Sequence, residues 1–146
     1  MIHYVLGFLF RGNGRDVLLI HKARGPSNVR GRLNGVGGKV NPGEPPFAAM
    51  RRESIEECGV DVSWTRYGSM GSAGLWECDL FFAEDDHAEP RTLDPTEPID
   101  WCRADSPGGP FVSIVDNLRV LLAAAELARD GDKEVSFRLD YTGMDK

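Results

Sequence analysis

Arg52 is followed by Glu53, Glu56 and Glu57 in the run RRESIEE, Arg51–Glu57. At about 100° per residue the three glutamates fall within one arc of a helix, with Arg52 at its edge and Ala49 inside it. Like charges three and four residues apart repel by roughly a few tenths of a kcal/mol per pair. Such an arc is therefore either a solvated face, partly offset by Arg51 and Arg52, or a cluster of hard oxygen donors. The second reading has a chemistry, because Mg2+ keeps several waters and binds a few carboxylates together with substrate phosphates. Just upstream, RLNGVGGKV places Gly35, Gly37 and Gly38 around Val36. A turn this rich in glycine lets backbone approach a ligand and offer a carbonyl oxygen. Glu44 lies between turn and helix and can pair with Arg52 through charge-assisted hydrogen bonds, fixing loop against helix.

These groups need a scaffold. Pro45 and Pro46 suit a first helical turn and Gly59 the position past a helix end, which predicts a helix over Pro45–Cys58. Phe47, Ser54 and Cys58 share its core-facing line, with the Ser54 hydroxyl free to bond back to the Met50 carbonyl. Tyr4–Phe10 is a nearly continuous apolar run, as expected of a strand buried on both faces. Asn13-Gly14 marks a tight hairpin turn, and Val17–Ile20 reads as its partner strand. His21–Arg32 is a loop carrying Lys22, Arg24, Arg30 and Arg32 and no acidic residue. It is either solvated or an anion-facing rim. Val60–Met70 and Leu75–Ala83 predict two strands joined by the turn Gly71–Gly74. Asp85–Glu89 is an acidic loop, and Glu97–Arg103 a short strand or sheet edge, since Pro98 lacks the N–H of a central strand. Ser113–Arg129 predicts a second helix capped by Ser113, with Ile114, Leu118, Leu121, Leu122 and Ala125 as its apolar stripe. Val135–Tyr141 alternates as a half-exposed strand. Two helices on a mixed sheet make an α/β protein, an α/β/α sandwich, in a single domain spanning residues 1–146.

Composition narrows the partners. A chain of 146 residues with net charge −6 does not favour nucleic-acid polymers, which select basic surfaces. It remains compatible with a small phosphate compound, because metal ions reverse the local sign. Cys58, Cys78 and Cys102 are odd in number and lack metal-ligand spacing, so they read as reduced and mostly buried. The apolar start Ile2–Phe10 is too short for a membrane span and lacks the pattern of a signal peptide. No membrane association is expected, and the cytoplasm is the default location. His3, His21 and His87 are isolated and suit solvated or structural roles.

Gly38, Glu44, Arg52, Glu53, Glu56, Glu57, Gly59 and Val60 fit, in register, the Nudix box G-x5-E-x7-R-E-U-x-E-E-x-G-U, where U is a bulky apolar residue. Only Ser54 departs from it, at an aliphatic position on the core-facing line. The chain thus resembles the Nudix hydrolases, and its order of elements resembles their α/β/α sandwich over nearly its whole length. The resemblance implies hydrolysis of a nucleoside diphosphate linked to another group, with Mg2+ or Mn2+ as cofactor. It implies Glu53, Glu56 and Glu57 as metal ligands, with the Gly38 carbonyl completing the set. It further implies Glu53 as a candidate general base, Glu44–Arg52 as the supporting pair, and Glu97 as a second candidate acid or base on a later loop.

Leu33–Lys39, LNGVGGK, resembles the W-N-G-x-G-G-K run of MutT-like enzymes that sanitise nucleotide pools, including oxidised purine triphosphatases. That likeness implies Asn34 at the base, and Lys22, with Lys39 of the same run, at the substrate. Leu33 replaces the Trp of the pattern. The segment around Trp101 resembles the acidic-then-Trp stretch of the same group, and Asn117 on the second helix would border the base. Turn-forming for Asn34, core packing for Trp101 and capping for Asn117 are the structural alternatives. The expectation is a nucleoside triphosphate pyrophosphohydrolase releasing monophosphate and pyrophosphate, as a monomer or a homodimer. Two alternatives are open: hydrolysis of a nucleotide sugar or dinucleoside polyphosphate, and a catalytically silent nucleotide-binding module. Silent modules usually lose box carboxylates, and this chain keeps them all.

Overall fold

A computed structural model describes residues 1–108, 114–131 and 137–141. Among the described residues ten elements follow one another: β1 (Ile2–Arg11), β2 (Asp16–His21), β3 (Leu33–Asn34), β4 (Val36–Lys39), α1 (Pro46–Cys58), β5 (Thr65–Ser72), β6 (Trp76–Glu84), β7 (Ile99–Arg103), α2 (Leu118–Asp130) and β8 (Phe137–Asp140). The strands form one mixed sheet in the order β3-β2-β1-β6-β5-β8, with β4 also on β1 and β7 also on β2. β1 runs parallel to β6 over its length, and β5 runs parallel to β8; the other pairs are antiparallel.

Apolar side chains on both faces of β1 explain its central place. Val5 and Leu9 enter a core with Leu18, Met50, Trp64 and Phe81 beneath α1. Phe8 and Phe10 enter the opposite core with Leu19, Leu80, Leu118 and Leu121 beneath α2. The α/β/α sandwich expected from the pattern is the one observed. Among the described residues no helix is long and apolar enough to cross a membrane.

The glycine-rich stretch is not the open turn its composition suggests. β1 pairs with β2 only from Leu9 to Arg11 and with β4 from Tyr4 to Gly7. β2 meets β3 at Ile20 and His21. β3 and β4 therefore fill the gap where β1 and β2 splay apart. A side chain at Gly37 would run into the Val5 carbonyl of β1. The glycines are there because two backbones are packed against each other with no room between.

Several boundaries differ from expectation. α2 begins at Leu118, with Asn117 at its N-cap and no side-chain capping bond. Ile114 instead forms a parallel bridge to Leu33, and Ser113 falls outside the described residues. The helix therefore starts later than its apolar stripe suggests, because Ile114 pairs with the sheet. The described part of the last strand is Phe137–Asp140, with the expected alternation; Val135 and Ser136 fall outside it. β5 starts at Thr65, because the preceding residues lead the chain off α1, with Val60 and Trp64 buried. Phe47 is 53% exposed, so it is not on the core line. Ala49 and Met50 fill that role with Ser54 and Cys58, which shifts the buried face by about one helical position. All three cysteines are free, with Cys58 and Cys78 buried and Cys102 partly so.

Candidate functional site

α1 carries the carboxylates to one edge of its buried face. Pro46 opens the helix, and Gly59 closes it in the left-handed region with φ 74°, its N–H donating to Ile55. Glu53 and Glu57 are mostly buried, with side-chain exposures of 14% and 15%, whereas Glu56 faces outward at 58%. The glycine wedge lies directly against them. The Gly37 N–H donates to Glu57 Oε1 at 2.8 Å. A Cβ at Gly38 would sit 2.5 Å from Glu53 Oε1, so only glycine leaves that carboxylate its place.

Arg52 and Glu44 make the expected bidentate pair: Nε to Oε2 and Nη2 to Oε1, both at 2.9 Å. Arg52 Nη2 also donates to the Lys39 carbonyl at 3.0 Å, and Nη1 to Glu53 at 2.9 Å and to Glu56 at 3.2 Å. One guanidinium thus ties the turn, β4 and the helix carboxylates together. The hydrogen bonds from Arg52 hold the Glu44 carboxyl below its ordinary value. Burial pushes the Glu53 carboxyl up, with Arg52 opposing it. Burial pushes Glu57 further, to about 7, against the lowering pull of Lys22 and the Gly37 N–H.

A cavity of about 370 Å3 opens on this cluster, lined by Ile20, Lys22, Arg24, Gly37, Glu53, Glu56, Glu57, Asp94 and Glu97. Glu97 joins it from the loop before β7. Its carboxylate accepts the N–H groups of Ala23 at 2.8 Å and Arg24 at 3.2 Å, and Arg24 Nη2 at 2.9 Å. Lys22 Nζ lies 3.6 Å from Glu97 and 3.9 Å from Glu57. Burial alone would raise the Glu97 carboxyl, but the backbone donors and the two cations hold it below its ordinary value. Glu97 is thereby committed to the loop after β2.

Glu44, Arg52, Glu53, Glu56, Glu57, Gly38, Lys22 and Glu97 are thus gathered in one place. The other sequence candidates are not. Lys39 projects to solvent beyond its carbonyl contact with Arg52. Asn34 pairs with Ile20 at the cavity wall, but its side-chain oxygen is taken by the Gly35 N–H at 2.9 Å. Trp101 packs at the margin of the core beneath α1, with the Arg11 guanidinium 4.0 Å from its ring. Asn117 lies on the opposite face of the sheet, where its amide meets Met70 Sδ and the Tyr141 hydroxyl. Trp101 and Asn117 therefore do not wall one pocket. A second cavity, of about 290 Å3, lies on the α2 face between His21, Leu33, Asp100 and Cys102.

Of the charged lining residues, Asp94 escaped the sequence reading, and Arg24 entered it only through a loop read as solvated or as an anion-facing rim. Arg24 is legible only as one of four cations in a loop. Asp94 shows only the weak signature of an Asp two residues before a Thr, whose N–H and hydroxyl it accepts at 2.9 and 2.7 Å. Arg24 Nη1 meets Asp94 at 3.0 Å and so straps the two loops together.

A family model described as NUDIX domain matches residues 3–119. The oxidized purine nucleoside triphosphate hydrolase of Danio rerio is 35% identical over 88 residues, 56% of this chain and 55% of that protein. The chain thus matches little more than half the length of that relative. The MutT protein of Bacillus halodurans superposes with TM-score 0.70 at 20% identity, over 98% of this chain and 92% of that one. A NUDIX hydrolase from Nitrosomonas europaea gives 0.74 at 17% identity, over 96% and 78%. The NUDIX domain of Shewanella oneidensis NrtR, complexed with ADP ribose, gives 0.71 at 14% identity, over 86% of each chain. At such identities the likeness of the structures is one of fold. The family match, however, spans the glycine wedge, all of α1 and the loop that carries Glu97. The chain belongs to the NUDIX family.

Proposed function

We propose that this chain is a divalent-metal-dependent hydrolase of nucleoside triphosphates, oxidised or otherwise modified ones included, releasing monophosphate and pyrophosphate. The observation that carries the reading is the pair of sequestered carboxylates, Glu53 and Glu57, set against a glycine backbone beneath a rim bearing Lys22 and Arg24. Oxygen donors fit Mg2+ or Mn2+, and the space that a Cβ at Gly38 would fill keeps Glu53 reachable. Glu53, Glu56 and Glu57, with the Gly38 carbonyl, would hold the ion. When bound, it would supply neutralisation of the diphosphate and a lowered pKa for water.

The chain's own groups do the rest. Glu53 accepts the proton that water loses as its oxygen attacks phosphorus, and the anhydride bond to the leaving pyrophosphate breaks in line. Arg52 orients that carboxylate and is itself aligned by Glu44. Lys22 presents an ammonium to the phosphates. Asn34, paired with the cavity-lining Ile20, is the candidate for contact with the base.

A panel of nucleoside triphosphates, oxidised purine triphosphates, nucleotide sugars and dinucleoside polyphosphates, assayed with Mg2+ and with chelator, tests the reading. Metal-dependent pyrophosphate release from a triphosphate is the expected result. Turnover confined to the sugars or dinucleotides would move the substrate class. Nucleotide binding without turnover would replace the enzyme with a binding module.

A further inference from the structure

Five carboxylates line the cavity, and four of them have a close cation. Arg52 holds Glu53 and Glu56, and Arg24 holds Asp94 and Glu97. Glu57 is the exception: it has the Gly37 N–H at 2.8 Å, and its nearest cation, Lys22 Nζ, stands 3.9 Å away. Lys22 is itself mostly sequestered, and Glu97 fixes it from behind at 3.6 Å while binding the N–H groups of the two residues that follow it. Among the described residues, no three acidic, histidine or cysteine side chains converge as a ready-made metal cage. The cluster is held by cations of the chain itself.

We infer that Lys22 is a resident counter-cation of the carboxylate cluster, aimed at Glu57 by Glu97, and that a divalent ion loading onto Glu57 must displace it. A divalent ion on Glu57 would set two positive charges within a few ångströms of the Lys22 ammonium, and the repulsion between charges about 4 Å apart is only partly screened in such a site. Metal binding and the position of Lys22 are thereby coupled, and the coupling is reciprocal. Loading frees the ammonium from Glu57 at the moment an anionic phosphate needs it. The inference rests on the proposed metal site, but it concerns affinity for the ion rather than turnover.

The test is a calorimetric titration of Mg2+ into the full chain without nucleotide at pH 8.5. Lys22→Met should bind Mg2+ about tenfold or more tightly than the unsubstituted protein. Lys22→Arg, which keeps the charge, should stay within about threefold of it. Lys22→Gln carries the same comparison if the Met variant does not fold. Equal or weaker Mg2+ affinity in the neutral variants overturns the inference and leaves the metal site standing. Absence of Mg2+ binding in every protein overturns the metal site and the inference together.

Discussion

Glu53 and Glu57 occupy similar depths, yet their surroundings differ. Glu53 is gripped by Arg52, which keeps one oxygen oriented, whereas Glu57 has only an amide and a more distant ammonium. Glu53 is the base of the proposed mechanism, and removing a general base typically lowers the rate by about 10²–10⁴. Glu53→Gln should therefore reduce turnover by that order while circular dichroism and thermal unfolding stay close to the starting protein; undiminished turnover in the folded variant would take Glu53 out of the mechanism. Glu57 carries a separate signature in metal-free protein. Burial lifts its carboxyl from the ordinary 4.5 to about 7, so the folded state holds a proton that the unfolded chain has released between those values. That contribution is complete below about pH 4.5 and is lost as pH rises through about 7. Urea unfolding in chelator should show stability falling across this window by on the order of 3 kcal/mol, and Glu57→Gln should flatten the slope.

Ser54 illustrates how an element accommodates a departure from its family's pattern. Its hydroxyl meets the Val60 carbonyl at 2.9 Å and the Arg51 carbonyl at 3.1 Å, not that of Met50, and it accepts the Trp64 indole N–H at 3.3 Å. A polar residue in an otherwise apolar core is thus matched by a tryptophan that needs an acceptor, and together they tie α1 to the segment leading into β5. Restoring an aliphatic residue with Ser54→Leu would leave that N–H unsatisfied in a packed site. The expected cost is about 1–3 kcal/mol, measured by chemical denaturation. The companion Ser54→Leu/Trp64→Phe should recover part of it, and a neutral or stabilising Ser54→Leu alone would refute the pairing. The glycine wedge shows the same dependence on neighbours, since Gly37 is required by the Val5 backbone and Gly38 by Glu53. Neither constraint is visible within the segment itself.

Across the whole molecule, the sheet separates two tasks. The α1 face carries the carboxylate cavity, and the α2 face buries Leu118, Leu121 and Leu122 in the larger core. Leu121→Ala should cost about 2–5 kcal/mol in stability yet leave turnover per folded molecule within a few-fold, as judged by unfolding curves and kinetics on the same preparation. A collapse of turnover in the still-folded variant would show that the α2 face takes part in the site. The sequence by itself determined how Arg52, Glu53, Glu56 and Glu57 are arrayed, because a helix of known period fixes where they stand and the bounding prolines and Gly59 fix the helix, whereas the expected reaction class rested on the resemblance of these residues to the Nudix box. The sequence also determined the layered fold, through the apolar run of β1 and the stripe of α2. What only the tertiary structure decided depends on strands distant in sequence. The splaying of β1 from β2 made a wedge of the glycines. Pairing with Leu33 moved the start of α2 past Ile114. The sheet put Trp101 and Asn117 on opposite faces, and the meeting of two loops placed Glu97, Arg24 and Asp94 around Lys22. Such contacts follow from which chain segments become neighbours, and no spacing within a segment encodes that.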